Sequence, residues 1–228
     1  MNGILLVDKP QGWTSFDVVG RLRNLSGVRR VGHAGTLDPM ATGLLIVLFG
    51  GASKQAGKFL ELDKTYEAEI TLGAVSNTDD AEGQIHPLDI AQGLIPTKAD
   101  VGKVLSTFIG EIRQLPPRYS AVKIKGQRAY KLARQGVRFR LEPRLVEIHE
   151  LKVLAYSYPK LRLRANVSSG TYIRSLARDV GERLGSGGYL SELRRTRIGD
   201  FSVKEAVPMH GINRSTLETN ILPGFRAN

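Results

Sequence analysis

The sequence predicts an α+β fold, a mixed and largely antiparallel sheet flanked by helices, on three observations. Apolar runs of strand length and amphipathic stretches of helix length follow one another without a regular βαβα alternation, which disfavours a doubly wound parallel sheet. Between Leu145 and Val167 two long alternating runs, LVEIHELKVLAYSY and KLRLRANV, are split by Pro159-Lys160 and read as an antiparallel hairpin. The chain has 228 residues, no internal repeat and no low-complexity linker. A chain of this length buries around 70% of its unfolded surface in a core of its own. One domain over residues 1–228 is therefore expected.

Element by element, Gly3 to Val7 is a short apolar strand closed by the turn residues Asp8-Lys9-Pro10-Gln11-Gly12. Ser15 followed by Phe16, Val18, Val19 and Leu22 reads as a capped amphipathic helix. Gly43 to Phe49 is a buried strand, Ala52 to Leu62 a helix, and Thr65 to Leu72 a strand of period two. Thr97 to Ile109 is a helix with Thr97 as cap and Asp100 three residues on, the spacing of a capping box. After the hairpin, Tyr172 to Leu184 sets Ile173, Leu176, Ala177, Val180 and Leu184 on one helical stripe.

Charge narrows the function. Thirty-three Lys and Arg against 22 Asp and Glu leave +11, a balance that points to a polyanionic partner, nucleic acid before membrane surface. The absence of Cys excludes disulfides, thiolate metal sites and a Cys nucleophile. With no apolar run near the roughly 18 residues of a membrane span, and no signal peptide at the N-terminus, a cytoplasmic location away from the membrane is expected. The charge is uneven: Glu61 to Asp100 holds nine acids and two lysines, whereas Arg113 to Arg144 holds ten bases and one acid. The acidic stretch is not expected to touch a polyanion. The basic stretch carries Tyr119, Tyr130 and Phe139 among its cations, a mixture suited to stacking on exposed bases, although a solvated basic helix would look the same.

Catalytic signatures are mostly missing. There is no GxxxxGK[ST], no GxGxxG and no HExxH spacing among His33, His86, His149 and His210, so neither a metal nor a nucleotide cofactor is expected. Asn77 to Gly83 resembles a calcium loop only loosely and reads as an acidic hairpin turn. The segment Gly32 to Gly43, GHAGTLDPMATG, differs in kind: three glycines and a proline turn the backbone sharply around a His and an Asp five residues apart. Asp38-Pro39 would equally suit a helix start, with Asp as cap and Pro at the first helical position.

GHAGTLDPMATGLL resembles the catalytic loop of the TruB family of tRNA pseudouridine synthases, and further motifs follow in that family's order. They are Asp8-Lys9-Pro10 with Gly12 and Ser15, Lys64-Thr65-Tyr66, Asp79-Asp80 with Gly83, Pro117 with Tyr119-Ser120-Ala121 and Lys123, and Gly170-Thr171-Tyr172-Ile173-Arg174. The resemblance spans about Gly3 to Val207. It implies a pseudouridine synthase fold, no cofactor, a monomer, and the isomerisation of uridine at position 55 in the TΨC loop of tRNA. It makes Asp38 the catalytic aspartate, Tyr66 the ring stacked on the uracil, and Arg174 the partner of the Asp38 carboxylate. His33, Leu193, Lys64 and Lys9 become substrate-binding residues. Residues 117–144 become an RNA-clasping thumb, with Arg118, Lys123, Lys125, Arg128 and Lys131 as RNA contacts. Family members usually continue into a C-terminal PUA domain, for which the 21 residues after Val207 are too few.

The residue types suit this chemistry. A uracil in a folded loop must be unstacked into an aromatic and apolar pocket, and the glycosidic bond needs an ionised carboxylate to add to carbon or to remove a proton. If Thr171 capped its helix, Arg174 would stand at the third helical position, where a cation opposes the helix dipole and a site is the natural reason for it. Two other readings compete: a guide-RNA-dependent subunit of a box H/ACA particle, and a noncatalytic RNA-binding or tRNA-folding module.

Overall fold

The computed structural model describes residues 1–223. The elements are, in order, β1 (Gly3–Lys9), α1 (Ser15–Ser26), β2 (Val31–Ala34), β3 (Thr42–Phe49), α2 (Ala56–Glu61), β4 (Lys64–Leu72), β5 (Ala74–Ser76) and β6 (Ile85–Pro87). They continue with α3 (Lys98–Ser106), β7 (Gly110–Gln114), β8 (Lys123–Ile124), β9 (Gln127–Arg128), α4 (Ala129–Arg134), β10 (Arg144–Ser157) and β11 (Lys160–Val167). The last are α5 (Ile173–Arg183), β12 (Gly188–Ile198), β13 (Phe201–Ser202), β14 (Val207–Pro208) and α6 (Arg214–Asn220). The chain divides into two compact units, Met1–Glu67 with the chain from Leu193 on, and Ala68–Glu192. Both boundaries fall inside strands, β4 and β12.

In the first unit the strand order is β14-β1-β3-β12, with β2 also on β3 and β13 on β12. The pairs β1–β3 and β2–β3 are antiparallel, whereas β1–β14 and β3–β12 are parallel. Strand β3 has neighbours on both edges and cover on both faces, so Gly43 to Phe49 are all buried. Period-two alternation splits the core. Leu5, Val7, Leu45, Val47 and Phe49 meet Val18, Val19 and Leu22 of α1 and Leu217 of α6. Ile4, Leu6, Leu44, Ile46 and Leu48 meet Phe59 of α2 and Ile198. Each such side chain, fully buried, contributes about 1.5–3 kcal/mol relative to exposure.

In the second unit the order is β12-β4-β11-β10-β7. The hairpin of β10 and β11 closes at Ser157↔Lys160, as its alternating runs predict, with two register shifts that bend it. Strands β5 and β6 flank the acidic turn, Ala74 facing Pro87 and Ser76 facing Ile85. The capping box of Thr97 and Asp100 forms, with Asp100 N–H donating to Thr97 Oγ1 and the Asp100 carboxylate accepting from Thr97 N–H.

Several boundaries differ from expectation. The cap of α1 is Thr14, not Ser15, because the capping box closes on Asp17 and leaves the Ser15 hydroxyl for another task. Residues 50–55 form a 3₁₀ turn, and the α-helix starts only at Ala56. Helix α3 stops at Ser106, short of Ile109, and α5 runs Ile173–Arg183. Strands β2, β7 and β12 lie where no strand was read. Among the described residues no helix is long and apolar enough to cross a membrane.

Candidate active site

The Gly32 to Gly43 segment is a hairpin arm followed by a clamped loop. His33 belongs to β2, opposite Val47 of β3. Asp38-Pro39 does not start a helix: Pro39 and Met40 form a turn in which Ala41 N–H donates to the Asp38 carbonyl at 3.1 Å. Four groups from elsewhere in the first unit hold this loop. The buried Ser15 hydroxyl accepts from Leu37 N–H at 2.9 Å and donates to the Leu37 carbonyl at 3.2 Å. Gly12 N–H donates to the Pro39 carbonyl at 2.8 Å. The Lys9 ammonium donates to the carbonyls of Trp13 at 2.6 Å, Pro10 at 2.9 Å and Pro39 at 3.4 Å. The Arg195 guanidinium donates to the carbonyls of Gly35 at 3.0 Å and Leu44 at 2.8 Å.

Two buried cations hold this loop through its carbonyls. Lys9, expected to bind substrate, is fully buried with its ammonium turned onto carbonyls, so it ties the loop to the turn before α1. Arg195, which an Arg-rich stretch would present as a solvated cation open to phosphate, is 1% exposed, hidden in β12. At Gly43 a Cβ would lie 2.3 Å from the Arg195 carbonyl oxygen, and φ is +101°, so only glycine lets β3 and β12 pair there.

Asp38 is half-buried at the turn. Tyr66 is buried on the inward face of β4 together with Lys64. Lys64 donates to the carbonyls of Leu60 and Leu62 at the end of α2, the lone-pair-rich terminus that favours a cation. Burial, with Arg195 nearby, pushes its ammonium down to about 8 against the pull of Asp63. Lys64, expected among the substrate-binding residues, thus caps the end of α2 with its ammonium. His33 is pushed below the ordinary imidazole range by burial and then by Arg195, and its buried Nδ1 has no hydrogen-bond partner among the described residues. Leu193 is half-buried on β12, its carbonyl accepting from Thr42 Oγ1 at 3.5 Å. Arg194 makes a two-pronged pair with Asp8 at 3.0 and 2.7 Å.

Arg174 lies in the second unit. Thr171 does not cap α5: the N-cap is Tyr172, whose N–H donates to Gln114 Oε1 at 2.8 Å while Gln114 Nε2 donates to its carbonyl at 3.1 Å. Arg174 is therefore at the second helical position. It is 7% exposed and held by the Asp80 carboxylate at 3.2 Å and by the carbonyls of Thr78 at 3.3 Å and Tyr119 at 2.9 Å. Asp80 in turn accepts from Thr78 Oγ1 at 2.5 Å and Glu82 N–H at 3.0 Å. One turn on, Arg178 pairs with Asp79 at 2.9 Å and with Asp179 at 2.8 Å. The acidic stretch is thus not an idle face: Asp79 and Asp80 are the counter-charges of α5, a role the sequence reading missed.

The thumb segment keeps its cations outward. Strands β8 and β9 form a two-residue hairpin at Lys125-Gly126, both at positive φ, the geometry of a type I′ turn. Arg118, Lys123, Lys125, Arg128 and Lys131 are exposed. Two rings of the segment are already covered, Phe139 by Arg118 at 5.2 Å and Tyr130 by Arg134 at 5.6 Å. Among the described residues no group of three or more His, Asp or Glu could hold a metal ion.

Comparison with known proteins fits this geometry. Residues 23–173 match the TruB family pseudouridylate synthase N-terminal domain, and residues 174–222 match the tRNA pseudouridylate synthase B C-terminal domain. A tRNA pseudouridine synthase B of Mycobacterium sp. (strain KMS) is 49% identical over 214 residues, covering 92% of this chain and 71% of that protein. One from Clostridium tetani (strain Massachusetts / E88) is 41% identical over 227 residues, covering 100% and 78%. A solved Cbf5-Nop10-Gar1 complex matches at TM-score 0.70 and 32% identity over 91% of this chain and 52% of that one. An H/ACA RNP bound to a substrate RNA containing 2'-deoxyuridine matches at TM-score 0.67 and 29% identity, over 91% and 51%. The chain spans about half the length of these two solved chains.

Proposed function

Because this chain belongs to the TruB family of pseudouridylate synthases, we propose that it isomerises uridine to pseudouridine in tRNA, at position 55 of the TΨC loop. The observation that carries this reading is the Asp38 loop, whose backbone is fixed by Ser15, Gly12, Lys9 and Arg195 so that one half-buried carboxylate is presented in a set position. Orientation of this kind lowers the barrier to attack before any chemistry begins. The uridine enters flipped from its stack, against the ring of Tyr66 and the apolar side chain of Leu193. The Asp38 carboxylate assists cleavage of the bond from C1′ to N1, by adding to carbon or by taking a sugar proton. The base then turns, C1′ bonds to C5, the C5 proton leaves to a base, and N1 gains a proton. Atoms and electrons balance within the nucleotide, so the reaction needs no oxidant. The Tyr66 hydroxyl is the base proposed for C5.

Arg174 is proposed as the guanidinium of the site, and its setting by Asp80 and two carbonyls supports a fixed orientation. His33 is proposed to contact RNA beside the flipped nucleotide. The thumb, residues 117–144, is proposed to clasp the T-arm through Arg118, Lys123, Lys125, Arg128 and Lys131. On this reading the chain acts as one catalytic domain, as a monomer in the cytoplasm.

Release of tritium from 5-tritiated uridine in tRNA tests the activity. Asp38→Asn should abolish release while tRNA affinity stays within a few fold, because phosphate contacts govern the interface. Turnover within tenfold of the parent enzyme would remove Asp38 from the reaction. The alternative, guide-RNA-dependent action, predicts release only when a guide RNA is supplied.

A further inference from the structure

The outer side of α1 carries an open groove of about 540 Å³ that the reaction above does not use. Trp13, Phe16, Arg21 and Leu25 line it. Phe16 is 70% exposed, an unusual setting for a phenylalanine on an otherwise well-packed helix. Gly20, one turn beyond Phe16, forms its floor. Glycine within a helix is unfavourable relative to alanine, and among the described residues no close approach requires it: a Cβ would meet none of their atoms within 4 Å. The space is left open at a cost to the helix.

Charge says what could occupy it. Arg21 is exposed beside the two rings, while the one acid at the groove, Asp17, is engaged at the helix N-terminus with Thr14 N–H at 2.8 Å and Thr14 Oγ1 at 2.7 Å. Rings that stack, a cation that meets phosphate and the Asn24 amide that can read a base edge are the components of a single-stranded nucleotide site. The groove is also joined to the Asp38 loop by one relay, since the Lys9 ammonium donates to the carbonyls of both Trp13 and Pro39, and the Ser15 hydroxyl binds Leu37 from the same helix turn.

We propose that this groove takes one unpaired nucleotide of the same RNA, its base against Trp13 and Phe16 and its phosphate near Arg21. The inference rests on the reading that the chain modifies RNA. Base stacking on an exposed ring is a substantial share of single-strand affinity, and anchoring a second nucleotide would add to recognition without touching the reacting uridine.

Trp13 is the single tryptophan, so the indole fluorescence comes from the groove. Titration with a T-arm hairpin should quench it, and Phe16→Ala should raise KM about tenfold with kcat unchanged, the loss expected for one stacked base. Gly20→Leu is the decisive variant, because it fills the groove while improving the helix. It should raise the thermal midpoint, abolish quenching and raise KM. Normal quenching and KM in both variants would overturn the proposal while leaving the synthase reading intact. Lack of tritium release by the parent enzyme, with quenching by the hairpin still present, would fault that reading and keep the groove. Quenching that follows protein concentration without RNA, and is lost together with a dimer in Phe16→Ala, would assign the groove to a second copy and overturn the proposal.

Discussion

At Tyr66 one oxygen atom separates two roles. Tyr66→Phe keeps the ring that would stack on uracil and removes the hydroxyl proposed to accept the C5 proton. RNA affinity should hold within a few fold while single-turnover product formation falls by about 100-fold or more, the usual contribution of a general base. Normal turnover would leave stacking as the residue's whole contribution. Lys64, two residues earlier, supplies a stability test. Its folded pKa is about 8 against an ordinary 10.5, because the buried ammonium is desolvated. Below that window both folded and unfolded chains carry the proton and the cost of burial is fully present. From about 8 to 10.5 the unfolded chain binds a proton that the folded chain lacks, so stability should rise with pH. Lys64→Met should lose that rise, read as the difference between the urea midpoints of the two proteins across the window. Parallel curves would show that the Lys64 ammonium is not desolvated in solution.

The helix ends show what was legible in the sequence and what was not. The box of Thr97 and Asp100 was readable because both partners lie within one turn, and the hairpin of β10 and β11 because its alternation is uninterrupted. The start of α5 was not, since its N-cap is served by Gln114, 58 residues away. Strand β12 escaped notice for a related reason: its arginines look solvated, yet Arg195 is buried by carbonyls that only the fold brings to it. The Gly32 to Gly43 loop stood out from its residues, but the partners that shape it, Ser15 and Arg195, were not assigned that task. The pairing of Asp80 with Arg174 carries a prediction at this scale. Both side chains are nearly inaccessible, so Asp80→Ala strands a buried cation and should cost about 3–5 kcal/mol in urea unfolding. Asp80→Asn keeps the shape and should preserve the fold while lowering kcat with little change in KM, since Arg174 would lose its orienting charge. Full turnover in Asp80→Asn would show that Arg174 needs no carboxylate to be effective.

Over the whole molecule the net charge of +11 is not spread evenly among groups free to meet RNA. Several arginines of the C-terminal third are already engaged by the protein's own groups: Arg174 by Asp80, Arg178 by Asp79 and Asp179, Arg194 by Asp8, and Arg195 by carbonyls. Counting them as phosphate contacts would overstate the interface. The exposed cations of residues 117–144 remain, and on the proposed reading they set the salt dependence. Each phosphate neutralised adds about −0.7 to −0.9 to the slope of log affinity against log salt. Reversing Lys125, Arg128 and Lys131 together should therefore weaken tRNA binding and flatten that slope by roughly two to three units, while unfolding stability stays near that of the parent because all three are exposed. Asp79 and Asp80 cannot serve as the acidic control, since neutralising them would disturb α5. Glu61, Asp89 and Glu111 are exposed, and neutralising these three should leave both affinity and slope unchanged. The slopes can be measured by filter binding of labelled tRNA between low and moderate salt. Equal flattening by the two triple variants would mean that the effect does not come from these three cations, and the thumb would lose its claim to hold the RNA.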